Sequence, residues 1–240
     1  MTGATRKIRV VHVVDASFGR HFSGQTHWLF SLLSGWQDRD IALDLWGTDT
    51  KPVNMNSGSR VYQLPEGKSL WADPRMPGRL HLVRGAARKL AMLVSRRRDF
   101  DIAHFHSLWL GELFSPAVLH RLGKKVVFTM SLYGSDNPGT IAAERGAWAV
   151  NLLRRFDGFV ALSPALVEDC GNFGFSNVLL LPNFLAIPEL ASGRDEGLRA
   201  AVRARYRIPA GDPVLLFVGA ALRRKGLDVL VESYIRVAEK

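Results

Sequence analysis

The sequence predicts an α/β protein built on a doubly wound parallel sheet, and two observations support this fold class. Short apolar runs rich in β-branched residues alternate along the chain with longer segments of helical periodicity. Such alternation is typical of parallel strands joined by crossover helices that cover both faces of the sheet. Hydrophobic residues make up 47% of the 240 residues, a proportion that excludes disorder for most of the chain.

Seven apolar runs are predicted as strands of one sheet: Ile8–Val14, Ile41–Trp46, Arg60–Leu64, Asp101–His106, Lys125–Met130, Phe159–Leu162 and Val178–Leu181. Four segments between them have helical periodicity: His27–Trp36, Leu110–Leu122, Ile141–Arg155 and Pro164–Phe173. Ligands of parallel sheets bind at the carboxyl ends of the strands. We therefore expect the loops after the strands to meet at one edge, where a functional site would lie.

The composition changes towards the C-terminus, which predicts three parts. Residues 1–188 form the main domain, and the charged segment 189–212 forms a linker or a surface helix. Residues 213–240 contain a predicted strand, Val214–Gly219, and a predicted helix, Leu227–Ala238. One strand and one helix cannot bury both of their faces, so we expect this unit to begin a second domain.

Positive charge is concentrated in the first 100 residues, which carry 16 Lys and Arg against 8 Asp and Glu, within a net charge of +10 for the chain. The densest stretch, Arg75–Arg98, mixes basic and apolar residues at near-helical spacing and predicts a basic amphipathic helix. Its polar face is either solvated or attracted to an anionic surface, whether phospholipid headgroups or a phosphate-bearing acceptor. Nucleic acid is disfavoured, because the sequence lacks zinc-ligand spacing, the aromatic pattern of RNA-binding sheets and a groove-reading helix.

A disulfide framework is excluded because Cys170 is the only cysteine. No apolar run reaches the roughly 18–20 residues needed to cross a bilayer. The N-terminus also lacks the pattern of a secretory signal. We therefore expect a cytoplasmic protein, bound peripherally at the inner face of the membrane if the basic helix contacts lipid.

The turn Phe22–Thr26 lies between the first strand and the first helix. Gly24 would allow a ligand to approach the backbone closely, and the start of the helix presents N–H groups to an anion or to hydroxyls. The pattern is not G-x-G-x-x-G, so a dinucleotide site is excluded. The segment is either a structural turn or a binding loop.

Two histidines mark the fourth strand, in the pattern Asp101-x-x-His104-x-His106. They share one face of the strand, and His106 lies at its carboxyl end. A zinc site would need a third ligand, and no cysteine or acid pair is near, so a metal site is disfavoured. His106 is therefore either a hydrogen-bonding group at the edge of a cleft or a buried, satisfied histidine.

Polar and turn residues follow the fifth strand in the segment Thr129–Gly139. Tyr133 and Asp136 would hold sugar hydroxyls there, or else Asp136 and Asn137 cap a turn. Ser163 follows the sixth strand without the flanking glycines of a nucleophile elbow, so nucleophilic hydrolysis is disfavoured.

The segment Gly219–Gly226 joins the last predicted strand to the last predicted helix and contains three adjacent cations: Arg223, Arg224 and Lys225. A glycine at the strand end gives room, and cations before a helix N-terminus favour a di- or triphosphate. The Walker pattern G-x-x-x-x-G-K-[ST] is absent. The segment is either a phosphate site or a solvated loop.

Taken in order, six segments resemble those of the family 4 glycosyltransferases, which use nucleotide sugars and retain the anomeric configuration. The segments are Ser23–Gln25, Phe100–His106, Val126–Thr129 with Gly134–Asp136, Phe156–Ser163, Leu181–Asn183, and Phe217–Gly219 with Lys225–Asp228. With the strand before the first segment and the helix after the last, the resemblance spans residues 8–235. The resemblance implies the GT-B architecture of two facing Rossmann-like domains. This chain would contain the first, acceptor-binding domain and only the truncated start of the second, donor-binding domain.

The resemblance also implies roles for individual residues. The donor diphosphate would contact Gly219, Arg223, Arg224 and Lys225, whose cations neutralise the departing group. The acceptor cleft would be lined by Gly24, Gln25, His106, Tyr133, Asp136, Ser163 and Asn183. No metal and no cofactor would be needed besides the nucleotide-sugar co-substrate.

The acceptor implied by the resemblance is a polysaccharide or a lipid-linked glycan. The 240-residue chain would be nearly inactive alone, because most donor contacts would lie beyond it. Two alternatives stay open: a different GT-B enzyme, such as a nucleotide-sugar epimerase or a phosphorylase, and a non-catalytic module that binds glycan or lipid.

Overall fold

The computed structural model divides the chain into two compact units, Met1–Ala186 and Ile187–Lys240. The residues that it describes are 7–14, 24–36, 40–47, 61–63, 80–106, 112–130, 137–183, 195–219, 221 and 223–238. The three-part division expected from composition, with boundaries at residues 188 and 212, stays a prediction.

The first unit is built on a seven-stranded sheet in which every pair of neighbouring strands is parallel. In chain order the strands are β1 (Ile8–Val13), β2 (Ile41–Gly47), β3 (Val61–Gln63), β4 (Ile102–Phe105), β5 (Lys125–Met130), β6 (Gly158–Ala161) and β7 (Val178–Leu180). Their order across the sheet is β3-β2-β1-β4-β5-β6-β7. The first strand, β1, therefore lies inside the sheet, with β2 and β3 on one side of it and β4 to β7 on the other. This arrangement confirms the predicted doubly wound, Rossmann-like α/β fold.

Helices connect the strands of this sheet. In the first unit they are α1 (Gly24–Gly35), α2 (Leu80–Ser95), α3 (Ser115–Arg121), α4 (Pro138–Arg145), α5 (Ala147–Leu153) and α6 (Pro164–Asn172), with a 3-10 turn at Glu112–Phe114. The second unit contains α7 (Glu196–Arg205), a 3-10 turn at Arg223–Lys225 and α8 (Leu227–Ala238). Among these described helices, none is both long and apolar enough to cross a membrane.

The sheet of the first unit separates two hydrophobic clusters, because successive residues of a strand point to opposite faces. In β1, Val11 and Val13 belong to the larger cluster, to which α2, α3, α5 and α6 contribute. Val10 and Val14 pack in the smaller cluster with Trp28 of α1. Both faces of the central strands are therefore covered, as the apolar, weakly alternating strand sequences predict.

The start of β4 is held beside β1 by Asp101. Its carboxylate accepts a hydrogen bond from the Arg9 backbone N–H at 2.9 Å, and its own N–H donates to the Arg9 carbonyl at 2.8 Å. From this point the two strands run in register, with Val11 opposite Ala103 and His12 opposite His104. The aspartate that opens the histidine pattern of β4 therefore sets the register between β1 and β4.

The single helix predicted at Ile141–Arg155 is wrong, because the structure contains two helices there. Gly146 lies between α4 and α5 with φ 83° and ψ 174°, a conformation that interrupts helical hydrogen bonding and is almost restricted to glycine. The first of the two helices also begins before the predicted position. Asn137 caps it by accepting a hydrogen bond from the Thr140 N–H at 2.8 Å. The sequence predicts a turn cap as one of two alternatives for this segment, and Asn137 instead caps a helix.

The strand predicted at Val214–Gly219 in the second unit is also wrong. Residues 213–218 lie in neither a helix nor a strand, and most of their apolar side chains are exposed. A strand needs a neighbouring backbone for its N–H and C=O groups, and the described part of this unit contains helices and turns but no such neighbour. The predicted helix Leu227–Ala238 forms as α8. The segment 189–212, predicted as a linker or a surface helix, contains α7, which Asp195 caps by accepting from the Leu198 N–H at 2.9 Å.

Candidate functional site

The carboxyl ends of the parallel strands lie at one edge of the sheet, and the described candidate residues of the first unit follow them. His106 comes directly after β4, Ser163 lies two residues after β6, and Asn183 lies three residues after β7. Tyr133 and Asp136, which follow β5 in the sequence, lie outside the described residues. The expectation that the strand ends share one edge is confirmed.

A cluster of three imidazoles lies at this edge and is formed by His12, His104 and His106, here called the imidazole cluster. His12 and His104 are register partners on β1 and β4. The ring centroids of His104 and His106 are 4.3 Å apart, and that of His12 lies 5.0 Å from His104 and 5.1 Å from His106. All three side chains are buried.

Hydrogen bonds fix the orientation of the imidazole cluster. His12 Nδ1 lies 2.8 Å from His106 Nε2, so one of these two nitrogens donates a proton to the other. His104 Nε2 is hydrogen-bonded to Thr129 Oγ1 of β5 at 2.7 Å. His12 Nε2 is buried and has no hydrogen-bond partner among the described residues. The indole ring of Trp28 lies against His106, with 5.5 Å between ring centroids.

All three imidazoles are neutral at neutral pH. Burial lowers the pKa of His104 to about 4. Burial also lowers the pKa of His12 and of His106 well below the usual value, and repulsion from the neighbouring rings adds to this effect. Each ring therefore offers one N–H donor and one nitrogen acceptor, and can form hydrogen bonds or ligate a metal.

The predicted phosphate segment of the second unit contains a 3-10 turn, Arg223–Lys225, here called the cationic turn. The turn ends at Gly226, which has φ 72° and donates its N–H to the Arg223 carbonyl at 2.9 Å. Helix α8 begins at the next residue, so the cations lie immediately before its N-terminus. Lys225 is exposed, and the Arg223 guanidinium lies 3.9 Å from the Asp228 carboxylate with both side chains largely in solvent.

The sequence of this chain matches a known family over more than half of its length. The model of a family described as "Glycosyl transferase 4-like domain" matches residues 23–183. The chain belongs to this family. The match runs from the start of α1 past the end of β7 and confirms the resemblance to the family 4 glycosyltransferases. A search among curated proteins finds no match.

The solved structures that share the fold of this glycosyl transferase 4-like chain include the following two. Sucrose-phosphate synthase from Thermosynechococcus elongatus has a TM-score of 0.61 at 17% identity, and the match covers 96% of this chain and 60% of that one. UGT89C1 from Arabidopsis thaliana, complexed with UDP, has a TM-score of 0.52 at 15% identity, covering 89% of this chain and 58% of that one. The chain thus spans about three fifths of the length of these two proteins.

The other described residues that the resemblance assigns to the acceptor cleft lie at the start of α1, at the start of α6 and beyond β7. Gly24 and Gln25 are the first two residues of α1, where a helix leaves N–H groups without intrahelical acceptors. Ser163 caps α6, its hydroxyl oxygen accepting a hydrogen bond from the Leu166 N–H at 3.4 Å. Asn183 is exposed beyond β7. Capping of α6 is therefore a structural reason for a serine at position 163.

The basic helix of this family member ends at Ser95, before the predicted end at Arg98, and includes one buried cation. Helix α2 accounts for Leu80–Ser95, while residues 75–79 lie outside the described part. Lys89 is buried, and its Nζ lies 2.8 Å from Glu112 Oε1, so it does not belong to the basic surface. Among the side chains of the segment that the structure describes, the exposed cations are Arg88, Arg96, Arg97 and Arg98, here called the α2 basic surface.

His12 is the member of the imidazole cluster that could not be identified from the sequence. His104 and His106 can be paired from the sequence because residues two apart share one face of a strand. His12 lies 94 positions before His106, and only the placement of β1 next to β4 brings the two together. The signal available in the sequence is a histidine within the apolar stretch Val10–Val14, combined with the usual strand order of a doubly wound sheet.

Proposed function

We propose that this protein transfers a sugar from a nucleotide-diphosphate sugar to a hydroxyl of a polysaccharide or lipid-linked acceptor, with retention of anomeric configuration. The observation that carries the proposal is the family match over residues 23–183, which includes α1 and the strand ends that follow it. The doubly wound sheet and the cationic turn before α8 support it independently of the match.

The donor side of the proposed reaction depends on the cationic turn. A nucleoside diphosphate gains negative charge as the sugar–phosphate bond breaks, and cations placed before a helix N-terminus stabilise that charge. Lys225 is exposed and has no acidic partner among the described residues, whereas Arg223 has a loose contact with Asp228. We therefore assign the main electrostatic role to Lys225, assisted by Arg223 or Arg224, with Gly219 giving room for the phosphates.

The acceptor side is proposed to lie at the carboxyl edge of the sheet in the first unit. The first turn of α1, beginning at Gly24 and Gln25, offers backbone N–H groups. His106 is neutral and contributes hydrogen bonds rather than charge. Ser163 keeps a hydroxyl proton to donate while its oxygen caps α6, and Asn183, Tyr133 and Asp136 would add polar groups.

We assign a separate role to each of the three parts expected from composition. Residues 1–188 would bind the acceptor, residues 189–212 would link the parts, and residues 213–240 would begin the donor domain. No metal or cofactor is part of this proposal besides the nucleotide sugar. Because most donor contacts would be missing, the 240-residue chain alone is expected to show no turnover.

The α2 basic surface supports the proposal that the protein binds at the inner face of a membrane. Arg88 is exposed in the middle of α2, and Arg96, Arg97 and Arg98 are exposed just beyond its end. Anionic headgroups attract such clusters, and an enzyme held there would be close to a lipid-linked acceptor. We therefore include an anionic membrane surface among the proposed partners, and no nucleic acid.

The decisive experiment uses the complete product of the gene with a panel of nucleotide sugars, and measures release of the nucleoside diphosphate with and without a glycan or lipid-linked acceptor. Acceptor-dependent release is expected, and NMR of the product would show the anomeric configuration of the donor. Lys225→Ala is expected to lower kcat/KM by about a hundredfold, the loss typical of removing one preorganised group that stabilises developing charge.

The matched control is Arg199→Ala, which removes an exposed cation on α7 that pairs with Glu196 at 3.2 Å. It is expected to leave kcat/KM unchanged. An epimerised sugar or a sugar phosphate as product would contradict glycosyl transfer and favour the other GT-B enzymes. Glycan or lipid binding without release of nucleoside diphosphate from any donor would favour the non-catalytic module.

A further inference from the structure

The imidazole cluster has the composition of a transition-metal site. One ring nitrogen from each of His12, His104 and His106 lies within 4.8 Å of the other two. Imidazole is a preferred ligand of zinc and its neighbours, and three protein ligands leave the fourth position of a tetrahedral ion open. We propose that these three histidines bind one divalent transition-metal ion, with zinc as the reference ion. This site does not depend on the proposed glycosyl transfer.

Modest shifts would convert the spacing of the ring nitrogens to that of a bound site. Zinc–nitrogen distances of about 2.0–2.1 Å with tetrahedral angles place two ligand nitrogens about 3.4 Å apart. The pair His12 Nδ1 and His106 Nε2, at 2.8 Å, would open by about half an ångström. One nitrogen from each of the three rings lies within 4.8 Å of the other two, so any wider pair would close by at most about 1.4 Å through side-chain rotation.

Thr129 supplies the second-shell contact that metal-binding histidines usually have. Its hydroxyl lies 2.7 Å from His104 Nε2, which leaves His104 Nδ1 as the nitrogen for the ion. Such outer contacts fix the tautomer and the orientation of a ligating ring. Thr129 is itself buried on β5, next to β4 in the sheet, so the contact is rigid.

His12 provides both a nitrogen for the ion and a place for the proton that the ion displaces. Its Nδ1 faces His106 Nε2 at 2.8 Å, and both nitrogens would bind the ion in place of the proton between them. Its Nε2 is buried without a hydrogen-bond partner among the described residues, so in this arrangement it is not a ligand but the nitrogen that can carry the displaced proton.

Binding of the ion would require one proton to move between ring nitrogens and none to leave the site. All three rings are neutral, as imidazole ligands must be. When the ion binds, the proton shared by His12 and His106 moves to a ring nitrogen that does not face the metal. Each ring then keeps one proton, and the site gains the two positive charges of the ion.

The test titrates the chain, stripped of metal by a chelator, with Zn²⁺ against a chromophoric competitor, and then with Co²⁺ followed by visible absorption. We expect one ion per chain and the visible bands of four-coordinate cobalt. His104→Gln and His106→Gln are each expected to weaken Zn²⁺ binding by more than a hundredfold, because loss of a direct ligand exceeds the 10–100-fold typical of an outer contact.

Two further variants keep the proposal falsifiable if those histidine variants do not fold. Thr129→Val retains all three imidazoles and is expected to weaken binding by about 10–100-fold. His120→Gln is the matched control, because His120 lies on α3 and is hydrogen-bonded to Asp157 instead, and it is expected to bind zinc like the unchanged chain. Circular dichroism checks that each variant is folded.

The outcomes separate this proposal from glycosyl transfer, because metal uptake is measured without donor or acceptor. Stoichiometric binding that Thr129→Val weakens and His120→Gln does not would support the site. Absence of stoichiometric zinc in the unchanged chain would overturn it. Binding that His104→Gln and Thr129→Val both leave unchanged would also overturn it, since the ion would then be held elsewhere.

Discussion

The carboxylate of Asp157 accepts a hydrogen bond from the backbone N–H of Val126 at 2.8 Å, and so joins the start of β6 to the start of β5. The Asp157 N–H donates in turn to the Val126 carbonyl at 2.8 Å. Lys125 Nζ and His120 Nε2 each lie 2.8 Å from the same carboxylate. Burial would raise the pKa of Asp157, but these hydrogen bonds outweigh it and hold the pKa below its usual value.

Asp157→Asn is expected to lower the free energy of unfolding at pH 7 by about 1.5–3 kcal/mol, because it weakens hydrogen bonds that involve a charged group. Urea denaturation measures the change. The control is Asp99→Asn, because the Asp99 carboxylate lies 3.8 Å from the Arg96 guanidinium with both side chains in solvent. That variant is expected to change stability by less than about 0.5 kcal/mol.

The stabilisation that Asp157 provides should decrease as the pH falls. Its pKa is lower in the folded chain than the ordinary value of 3.8, so the unfolded chain binds the proton first as the pH falls. The stabilisation is complete above the unfolded pKa and is lost as the pH falls through the folded pKa. The stability difference between the unchanged chain and Asp157→Asn should therefore shrink from about pH 5 to about pH 3. A difference that grows over this range would contradict the assignment.

The sheet could be predicted from the sequence because each strand is a short apolar run with its own local signal. Asp101 and Asp157 lie immediately before β4 and β6, where a carboxylate binds the backbone of the neighbouring strand. The pairing itself is non-local, but doubly wound sheets have few allowed topologies, so the predicted strands leave little choice of order.

Other features could not be predicted, because their causes lie outside the local pattern. Apolar residues 214–218 resemble a strand, yet strand formation depends on a neighbour that local sequence does not reveal. Likewise, the pairing of His104 with His106 follows from period-two spacing, whereas the contact with His12 depends on strand order. Gly146 is a single glycine in a helical pattern, and its backbone angles are a property of the folded chain.

Gly146→Ala is expected to destabilise the protein, by about 1–3 kcal/mol, because φ 83° with ψ 174° is a conformation nearly restricted to glycine. An added Cβ would lie 3.7 Å from the nearest atom of Trp148, so the cost is conformational rather than steric. The control is Gly171→Ala within α6, where a Cβ meets no atom within 4 Å. That change should stabilise the protein by about 0.5–1 kcal/mol, and equal effects of the two variants would refute the argument.

The buried pair of Lys89 and Glu112 should behave as a unit. Lys89→Met leaves a carboxylate in a buried position without this cation, and is expected to cost about 3–5 kcal/mol in unfolding free energy. The double variant Lys89→Met/Glu112→Leu replaces both charges with apolar groups and should recover most of the loss. A double-mutant cycle from urea denaturation measures the coupling.

The exposed pair of Glu196 and Arg199 is the control for this cycle, since its atoms are also close, at 3.2 Å, but its side chains are in solvent. Its coupling energy should be below about 0.5 kcal/mol. Equal coupling in the two pairs would show that burial does not determine the strength of the Lys89–Glu112 interaction.

Sedimentation with anionic vesicles tests the α2 basic surface. The triple variant Arg96→Gln, Arg97→Gln, Arg98→Gln removes three exposed charges, each worth about 1 kcal/mol near an anionic membrane, so vesicle affinity should fall by about a hundredfold at low salt. Raising the ionic strength should reduce binding of the unchanged chain towards that of the variant, because salt screens exposed charges.

The control for vesicle binding removes the same number of charges from scattered positions: Arg121→Gln, Arg155→Gln and Arg199→Gln, all exposed. The net charge then falls from +10 by the same three units as in the test variant. If clustering at the end of α2 determines binding, the control should keep most of its vesicle affinity, because only cations close to the surface within a Debye length contribute. An equal loss in both variants would mean that net charge alone attracts the protein, and no binding by the unchanged chain at low salt would contradict the proposed membrane partner.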